Sequence, residues 1–197
     1  MNYYIADLHL GHANAIRFDN RPFADADEMN EALIRNWNSV VTRQDTVYVL
    51  GDFIWAKESQ WPSYFEKLNG GKVLIRGNHD PREFSQATKR YFQDIAPIKE
   101  ITDNGKHVIM CHYPIPFHRA DYDENCYMLH GHVHNTRENA FLLRWREEIR
   151  YACTERHHAR GQFINVGCMM PWMGYQPRTL SEIIEQEEAA THALPSN

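Results

Sequence analysis

The sequence is short of the features that mark several protein classes. None of its four cysteines forms a CxxC pair, so a zinc ribbon is not expected. No apolar run approaches the length of a membrane span, and the chain does not open on a basic segment followed by an apolar stretch. Internal repeats and low-complexity linkers are missing as well. These absences predict a cytoplasmic protein with no membrane partner, in which the cysteines are small buried side chains: Cys111, Cys126, Cys153 and Cys168.

Positive charge is also scarce. The chain has 21 lysines and arginines against 26 aspartates and glutamates, a formal net charge of -5, and no basic stripe. This balance disfavours a general polyanion binder. The 197 residues are 43% hydrophobic, which supports a sizeable core. We predict a single domain over residues 1–185, followed by a polar, loose tail over 186–197.

Apolar patterns alternate between strand-like and helix-like along the chain. Strands are predicted at 2–6, 46–50, 72–75, 107–111, 127–129 and 162–166, and helices at 27–41, 61–68 and 81–92, with the start of a last helix at 180–184. This order predicts an α/β domain in which helices cover the sheet faces. Ligands of such sheets bind beyond the carboxyl ends of the strands.

Polar motifs lie at five of these strand ends. They are Asp7-Leu8-His9, Gly51-Asp52, Gly77-Asn78-His79-Asp80, Cys111-His112 and Gly131-His132-Val133-His134. Two residues apart on an extended chain, Asp7 and His9 face the same side. Gly51 lets the backbone turn sharply, and the carboxylate of Asp52 has two oxygens that can bridge two cations. The combined acids, amide and imidazoles predict a shared site for a pair of divalent metals.

This ordered set resembles the calcineurin-like metallophosphoesterases, and most closely their small bacterial and phage members. Further shared features are the opening Asp7, His9, Gly11 and His12, the segment Arg21-Pro22-Phe23, and the late Asn165-Val166-Gly167. The resemblance implies a four-layer αββα sandwich of two facing mixed β-sheets flanked by helices. It also implies hydrolysis of a phosphodiester or phosphomonoester by a hydroxide that bridges two metals.

The resemblance further assigns roles to individual residues. Asp7, His9 and His134 would bind one metal; Asn78, His112 and His132 would bind the other; Asp52 would bridge them. His79 would act as general acid or transition-state stabiliser, and Asp80 is a candidate to orient it. Mixed nitrogen and oxygen donors without thiolate favour Mn²⁺, with Fe, Zn, Ni or Co also suitable.

The residues after Gly51-Asp52 depart from the protein phosphatases of the superfamily. Those enzymes carry a second aspartate and an arginine there, whereas this chain has Trp55 and Ala56. A small phosphoester is therefore expected rather than a phosphoprotein. Candidate substrate contacts are His12, Arg21 and His118. A nuclease, in which aromatic side chains stack on bases, is the second enzymatic hypothesis, and a non-catalytic binding scaffold is the third.

The segment 139–156 has a helical apolar spacing amid arginines and glutamates, with Phe141, Trp145 and Ile149 on one face. It is either a surface helix packed on the domain, or a lid or homodimer contact beside the His132–His134 loop. The sequence does not separate these interpretations.

Overall fold

The computed structural model describes residues 1–152 and 158–192, which form two four-stranded β-sheets with helices packed on them. The strands are β1 (Asn2–Ile5), β2 (Thr46–Val49), β3 (Gly71–Ile75), β4 (Asp94–Ala96), β5 (Ile98–Asp103), β6 (Lys106–Cys111), β7 (Cys126–His130) and β8 (Phe163–Asn165). The helices are α1 (Ala13–Phe18), α2 (Ala26–Val40), α3 (Trp61–Phe65), α4 (Gln86–Lys89), α5 (Arg137–Ala152) and α6 (Leu180–His192).

The two sheets differ in strand direction. The first contains β1 to β4 in chain order, all parallel, because each neighbouring pair is joined by a crossover that carries a helix. In the second sheet β5 and β6 form an antiparallel hairpin, while β6, β7 and β8 run parallel. The predicted α/β sandwich is confirmed. The prediction that both sheets are mixed is wrong for the first one.

Alternating side chains show how the layers are stacked. The hydroxyl of Tyr3 donates a hydrogen bond to the carbonyl of Val40 in α2 (3.0 Å), whereas the hydroxyl of Tyr4 donates to Asp103 in β5 (2.7 Å). Tyr3 and Tyr4 point to opposite faces of β1. The first sheet therefore has α2 on one face and the second sheet on the other. On the far side of the second sheet, Ile109 of β6 packs in a cluster with α5.

Helix α2 begins and packs as its sequence predicts. The carboxylate of Asp25 accepts a hydrogen bond from the backbone N–H of Glu28 (2.9 Å), a standard N-terminal cap. Met29, Leu33 and Trp37 recur at helical spacing and are fully buried against the core.

Three predictions about elements are corrected. The helix expected over 81–92 is limited to Gln86–Lys89. Strands β4 and β5 were not predicted, because their short, largely polar sequences show no apolar alternation. The tail expected from residue 186 instead continues α6 to His192, and Glu187 pairs with Arg146 in the interior (2.6 Å). The part of the predicted tail over 193–197 lies outside the described residues.

Helix α5 packs against the second sheet through Ile149, while Phe141 remains exposed. This agrees with the surface-helix interpretation; a lid or homodimer role stays a prediction, and residues 153–156 of that segment lie outside the described part. Cys111, Cys126 and Cys168 are free and buried, as expected, whereas Cys153 is not described. Among the described helices, none is long and apolar enough to cross a membrane.

Candidate metal centre

The polar motifs converge at the carboxyl ends of five strands, where an α/β sheet places its ligand site. β1 leads to Asp7 and His9, β2 to Asp52, β3 to Asn78, β6 to His112, and β7 to His132 and His134. The two sheets are joined at this edge, because the N–H of Ala6 donates to the carbonyl of Val166 and the N–H of Cys168 donates to the carbonyl of Ala6 (2.8 Å each).

One group of ligand atoms is compact and mostly buried. Asp7, His9, Asp52 and His134 each place a carboxylate oxygen or ring nitrogen within 4.8 Å of the others. The Nε2 atoms of His9 and His134 are 3.4 Å apart. Two carboxylates and two imidazoles converging in this way form a donor set that suits a first-row divalent cation.

A second group adjoins the first. The side-chain oxygen of Asn78 lies 2.9 Å from Nε2 of His112 and 2.9 Å from Nδ1 of His132. The Oδ2 atom of Asp52 lies 3.7 Å from Nε2 of His112 and 3.7 Å from Nε2 of His9. This carboxylate therefore stands between the two groups, equally far from an imidazole of each.

Hydrogen bonds behind the centre fix the orientation of two imidazoles. Nδ1 of His112 lies 2.8 Å from the carbonyl of Leu50, and Nδ1 of His134 lies 2.6 Å from Oδ1 of Asp19. With the Nδ1 proton donated to these oxygens, each ring presents its Nε2 lone pair to the ligand cluster.

Asp19 is a functional residue that the sequence analysis missed, and it explains the position of Arg21. The guanidinium of Arg21 donates to Oδ2 of Asp19 from Nε (2.9 Å) and from Nη2 (2.7 Å). It also donates to the carbonyls of Leu8 and Asp7 (2.9 Å each). The Arg21 side chain is completely buried. This position does not support its predicted role as a substrate contact: Arg21 holds Asp19 and the first motif in place.

Asp80 also has a positioning role rather than the predicted one. Its Oδ2 accepts hydrogen bonds from the N–H of Asp52 (2.9 Å) and of Gly77 (2.8 Å), and its Oδ1 accepts from the N–H of Phe53 (3.1 Å). Among the described residues, no hydrogen bond joins this carboxylate to the ring of His79, so its position does not support the predicted orienting role. Asp80 instead ties the loop after β2 to the loop after β3.

These two loops approach so closely that a side chain would not fit between them. A Cβ atom added to Gly77 would lie 2.3 Å from Oδ1 of Asp52. The same Oδ1 accepts a hydrogen bond from the N–H of His79 (3.0 Å). Gly77 thus lets the bridging carboxylate and the His79 loop pack together.

His79 and His12 lie beside the cluster, on the side of Trp55. The exposed ring of His79 has its centroid 6.0 Å from that of His9 and 4.6 Å from that of Trp55. The His12 ring stacks on the Trp55 indole at 4.0 Å, and its Nδ1 is buried without a hydrogen-bond partner in the described part of the chain.

His118 is not brought to the centre. Its Nδ1 lies 4.0 Å from the Sγ atom of Cys126, which begins β7. The ligands follow the opposite end of that strand, roughly 13 Å further along at the usual rise per residue. The prediction that His118 contacts substrate at the metal centre is therefore not supported by its position.

Five of the ligand residues have a left-handed backbone. The φ angles are 55° at Asp7, 52° at His9, 51° at Asp52, 71° at His132 and 48° at His134. This region costs non-glycine residues of order 1–3 kcal/mol each, although aspartate and histidine tolerate it better than most. Strain concentrated on the convergent polar residues is typical of a functional site.

The electrostatics of the cluster favour a bound cation. Burial raises the pKa of Asp7 to about 6, although nearby His134 and His112 act in the opposite direction. Burial, together with neighbouring His134 and Arg21, lowers the pKa of His9 to about 2, so its imidazole is neutral and offers a lone pair. A carboxylate and a neutral imidazole such as that of His9 are the protonation states that metal ligands need. The pKa of His134 is instead raised, because its hydrogen bond to Asp19 and the charge of Asp7 outweigh the effect of burial, and a bound cation would displace that proton. The donor set therefore fits a metal.

Comparison with known proteins agrees with this geometry. The sequence profile of the calcineurin-like phosphoesterase superfamily domain matches residues 3–185. An uncharacterized protein of Methanocaldococcus jannaschii is 39% identical over 134 residues, covering 67% of this chain and 68% of that protein. The Gene 66 protein of Mycobacterium phage D29 is 30% identical over 158 residues, covering 68% of this chain and 78% of its own length.

A solved structure shares the fold. The protein of unknown function AQ665 from Aquifex aeolicus superposes with a TM-score of 0.64 and 27% sequence identity, covering 94% of this chain and 98% of that one. The match to the family runs from β1 into α6 and includes every strand-end motif of the centre. On this evidence the chain belongs to the calcineurin-like phosphoesterase superfamily, whose membership implies divalent metal ions at the cluster that contains Asp7, His9, Asp52 and His134.

Proposed function

We propose that the protein hydrolyses a small phosphoester with the help of two divalent cations. The observation that carries this proposal is the position of Asp52, whose Oδ2 lies 3.7 Å from an imidazole nitrogen of each ligand group. A carboxylate placed between two groups of donors suits a dinuclear centre, in which two cations lie about 4 Å apart.

Asp7, His9 and His134 would hold one cation, and Asn78, His112 and His132 would hold the other. Asp52 would serve both. Mn²⁺ is the cation we favour, while Fe, Zn, Ni and Co suit the same donors. When bound, such a pair supplies Lewis acidity toward phosphoryl oxygens and lowers the pKa of a water molecule.

The protein's own groups supply the proton and the positioning. His79 is exposed beside the cluster, and the hydrogen bond from its N–H to Asp52 holds its loop against the centre. We assign it the proton that the leaving oxygen needs, as general acid or as a charged stabiliser. His12 is the contact we assign to the phosphate, because its Nδ1 has no hydrogen-bond partner among the described residues and its ring lies 5.4 Å from that of His9.

A panel of substrates tests the function. The protein is stripped of metal, reloaded with Mn²⁺ and assayed with an aryl phosphodiester, an aryl phosphomonoester, a cyclic nucleotide and a short nucleic acid. We expect hydrolysis of a small ester that disappears with chelator and returns with metal. Two bound cations without hydrolysis of any substrate would instead favour the scaffold, and cleavage of the nucleic acid alone would favour the nuclease.

A matched pair of variants tests His79. His79→Ala is expected to keep both cations and to lose about 10²–10⁴-fold in kcat, the usual contribution of general acid catalysis. His107→Ala is the control, because His107 lies near the start of β6 and contacts Glu100 rather than the centre. If His79→Ala has the same kcat as the control variant at full metal content, His79 is neither the general acid nor the charged stabiliser.

A further inference from the structure

Exposed aromatic rings surround the metal centre. Phe18 is 52% exposed with its ring 5.5 Å from that of His134, and Tyr113 is 45% exposed with its ring 4.7 Å from that of His132. Trp55 is 42% exposed and contacts both His12 and His79. The metal needs none of these three side chains as ligands. Solvent-exposed aromatic groups around a polar centre indicate a surface that a ligand covers.

The largest of these rings also lines a cleft. A cavity of about 330 Å³ opens next to His79 and is lined by Ile54, Trp55, Ala56, Lys57, Trp61, His79 and Pro81. Trp55 and His79 therefore belong both to the cleft and to the border of the metal centre. A phosphoester held at the centre can place one of its ester groups in this cleft.

The chemistry of hydrolysis decides which ester group this is. Water adds to phosphorus and releases one proton to solvent, the bond from phosphorus to the ester oxygen breaks, and that oxygen takes a proton from His79. The group carried by the leaving oxygen must therefore lie on the His79 side, which is the side of the cleft. The cleft is placed to receive the leaving group rather than the part that stays on phosphorus.

The lining indicates what that leaving group is. One face of the indole of Trp55 is covered by His12, yet the side chain remains exposed on the cleft side of the loop. Trp55, Ala56 and Pro81 give the cleft apolar surface, and Lys57 and His79 give it polar groups, a combination that suits a planar heterocycle with polar edges. Sequence-tolerant stacking on aromatic side chains is how proteins hold single bases. The acidic net charge of -5 favours one nucleoside over a long polyanionic strand.

We propose that the cleft beside His79 is a leaving-group subsite that selects phosphoesters of nucleosides, with the base packed against Trp55. This proposal rests on the proposed phosphoesterase function and adds the class of substrate. In this proposal Trp55 is a specificity-determining residue. The protein phosphatases of the superfamily carry a polar residue at the same place.

Two ligands that differ only by the base provide the test. Adenosine 5′-monophosphate and ribose 5-phosphate are compared as inhibitors of aryl phosphodiester hydrolysis by the Mn²⁺-loaded protein. Their effect on the Tm of the same metal-loaded protein is the second readout, because it needs no turnover. We expect the nucleotide to bind about tenfold or more tightly than the sugar phosphate, as stacking of one base supplies.

Variants at Trp55 distinguish a loss of base stacking from a nonspecific loss of ligand binding. Trp55→Ala is expected to reduce the ratio of the two affinities to about twofold or less, and Trp55→Phe to retain part of the advantage. Phe141→Ala is the control, because Phe141 is also an exposed aromatic side chain but lies on α5, outside the cleft. It should leave the ratio unchanged.

The results distinguish this proposal from the function on which it rests. Equal affinity for the two ligands, binding of neither, or an unchanged ratio in Trp55→Ala would overturn the nucleoside subsite and leave phosphoester hydrolysis standing. If no ester is hydrolysed but the nucleotide still raises Tm more than the sugar phosphate does, the subsite is supported and the catalytic proposal fails.

Discussion

At the scale of single residues, the chemistry depends on side chains held by partners that are distant in sequence. The residue types at the strand ends were enough to predict a metal site, because acids, an amide and imidazoles have few other reasons to follow five apolar strands. The roles of Asp19, Arg21 and Asp80 were not predictable in this way. Each depends on a contact whose partner can be identified only after the chain has folded.

Asp19 provides a prediction about metal affinity. Asp19→Asn weakens the hydrogen bond that orients His134 and removes the charge that supports it, so we expect metal affinity to fall about 10- to 100-fold. Titration of the metal-free protein with Mn²⁺ measures the change. Asp27→Asn is the control, since Asp27 is an exposed residue in the first turn of α2. An affinity equal to that of the control variant would show that Asp19 has no role in the centre.

Asp7 provides a prediction about pH and stability. Burial raises its pKa from 3.8 to about 6 in the folded chain, so the neutral carboxyl group is well tolerated below pH 4. Its burial becomes costly as pH rises from about 4 to about 6, and the cost is constant above that range. In chelator, Asp7→Asn should therefore gain stability relative to the unsubstituted protein between pH 4 and pH 7, by about 2 kcal/mol.

Urea unfolding at the two pH values measures this difference. The sign should reverse in the presence of Mn²⁺, because the unsubstituted protein then gains the free energy of metal binding and the variant does not. If the free energy of unfolding of the two proteins depends on pH in the same way in chelator, the charge of Asp7 does not cause the loss of stability.

At the scale of elements, sequence patterns predicted those helices and strands whose own residues show a clear period. Helix α2 combines a cap at Asp25 with an apolar stripe, and its bounds were predicted to within about one residue at each end. Strands β4 and β5 carry no such pattern. Their position is determined by pairing with β3 and β6, which is information from elsewhere in the chain. The end of α6 was not predicted for a similar reason. Glu187 is buried because it pairs with Arg146 of α5, which is distant in the sequence.

The Arg146–Glu187 pair is predicted to support the docking of α5 on α6. Both side chains are almost completely buried, so removing one leaves an unpaired charge in the interior. Glu187→Ala should lower the free energy of unfolding by about 3–5 kcal/mol. Denaturant unfolding measures the loss, with the exposed neighbour variant Glu188→Ala as control. The metal content of Glu187→Ala should be normal, and a loss of stability no larger than in Glu188→Ala would contradict the role of the pair.

At the scale of the whole molecule, the two sheets join at one edge and place all of the strand-end motifs there. The αββα sandwich and the family were predictable because the motifs occur in a fixed order along the chain. The substrate was not predictable, because Trp55, Lys57 and most of the other cleft residues lie in loops whose contacts have no sequence period. The cytoplasmic location and the single domain over 1–185 stay predictions.

The central claim is that two cations share Asp52 and act together in phosphoester hydrolysis. The most direct measurement titrates Mn²⁺ into the metal-free protein and records, in the same samples, the cations bound per chain and the rate of hydrolysis of the aryl phosphodiester. We predict that hydrolysis rises as the second cation binds, and that Asp52→Asn neither holds two cations nor shows this rise. Full activity with one cation per chain, or no activity with two, would contradict the account.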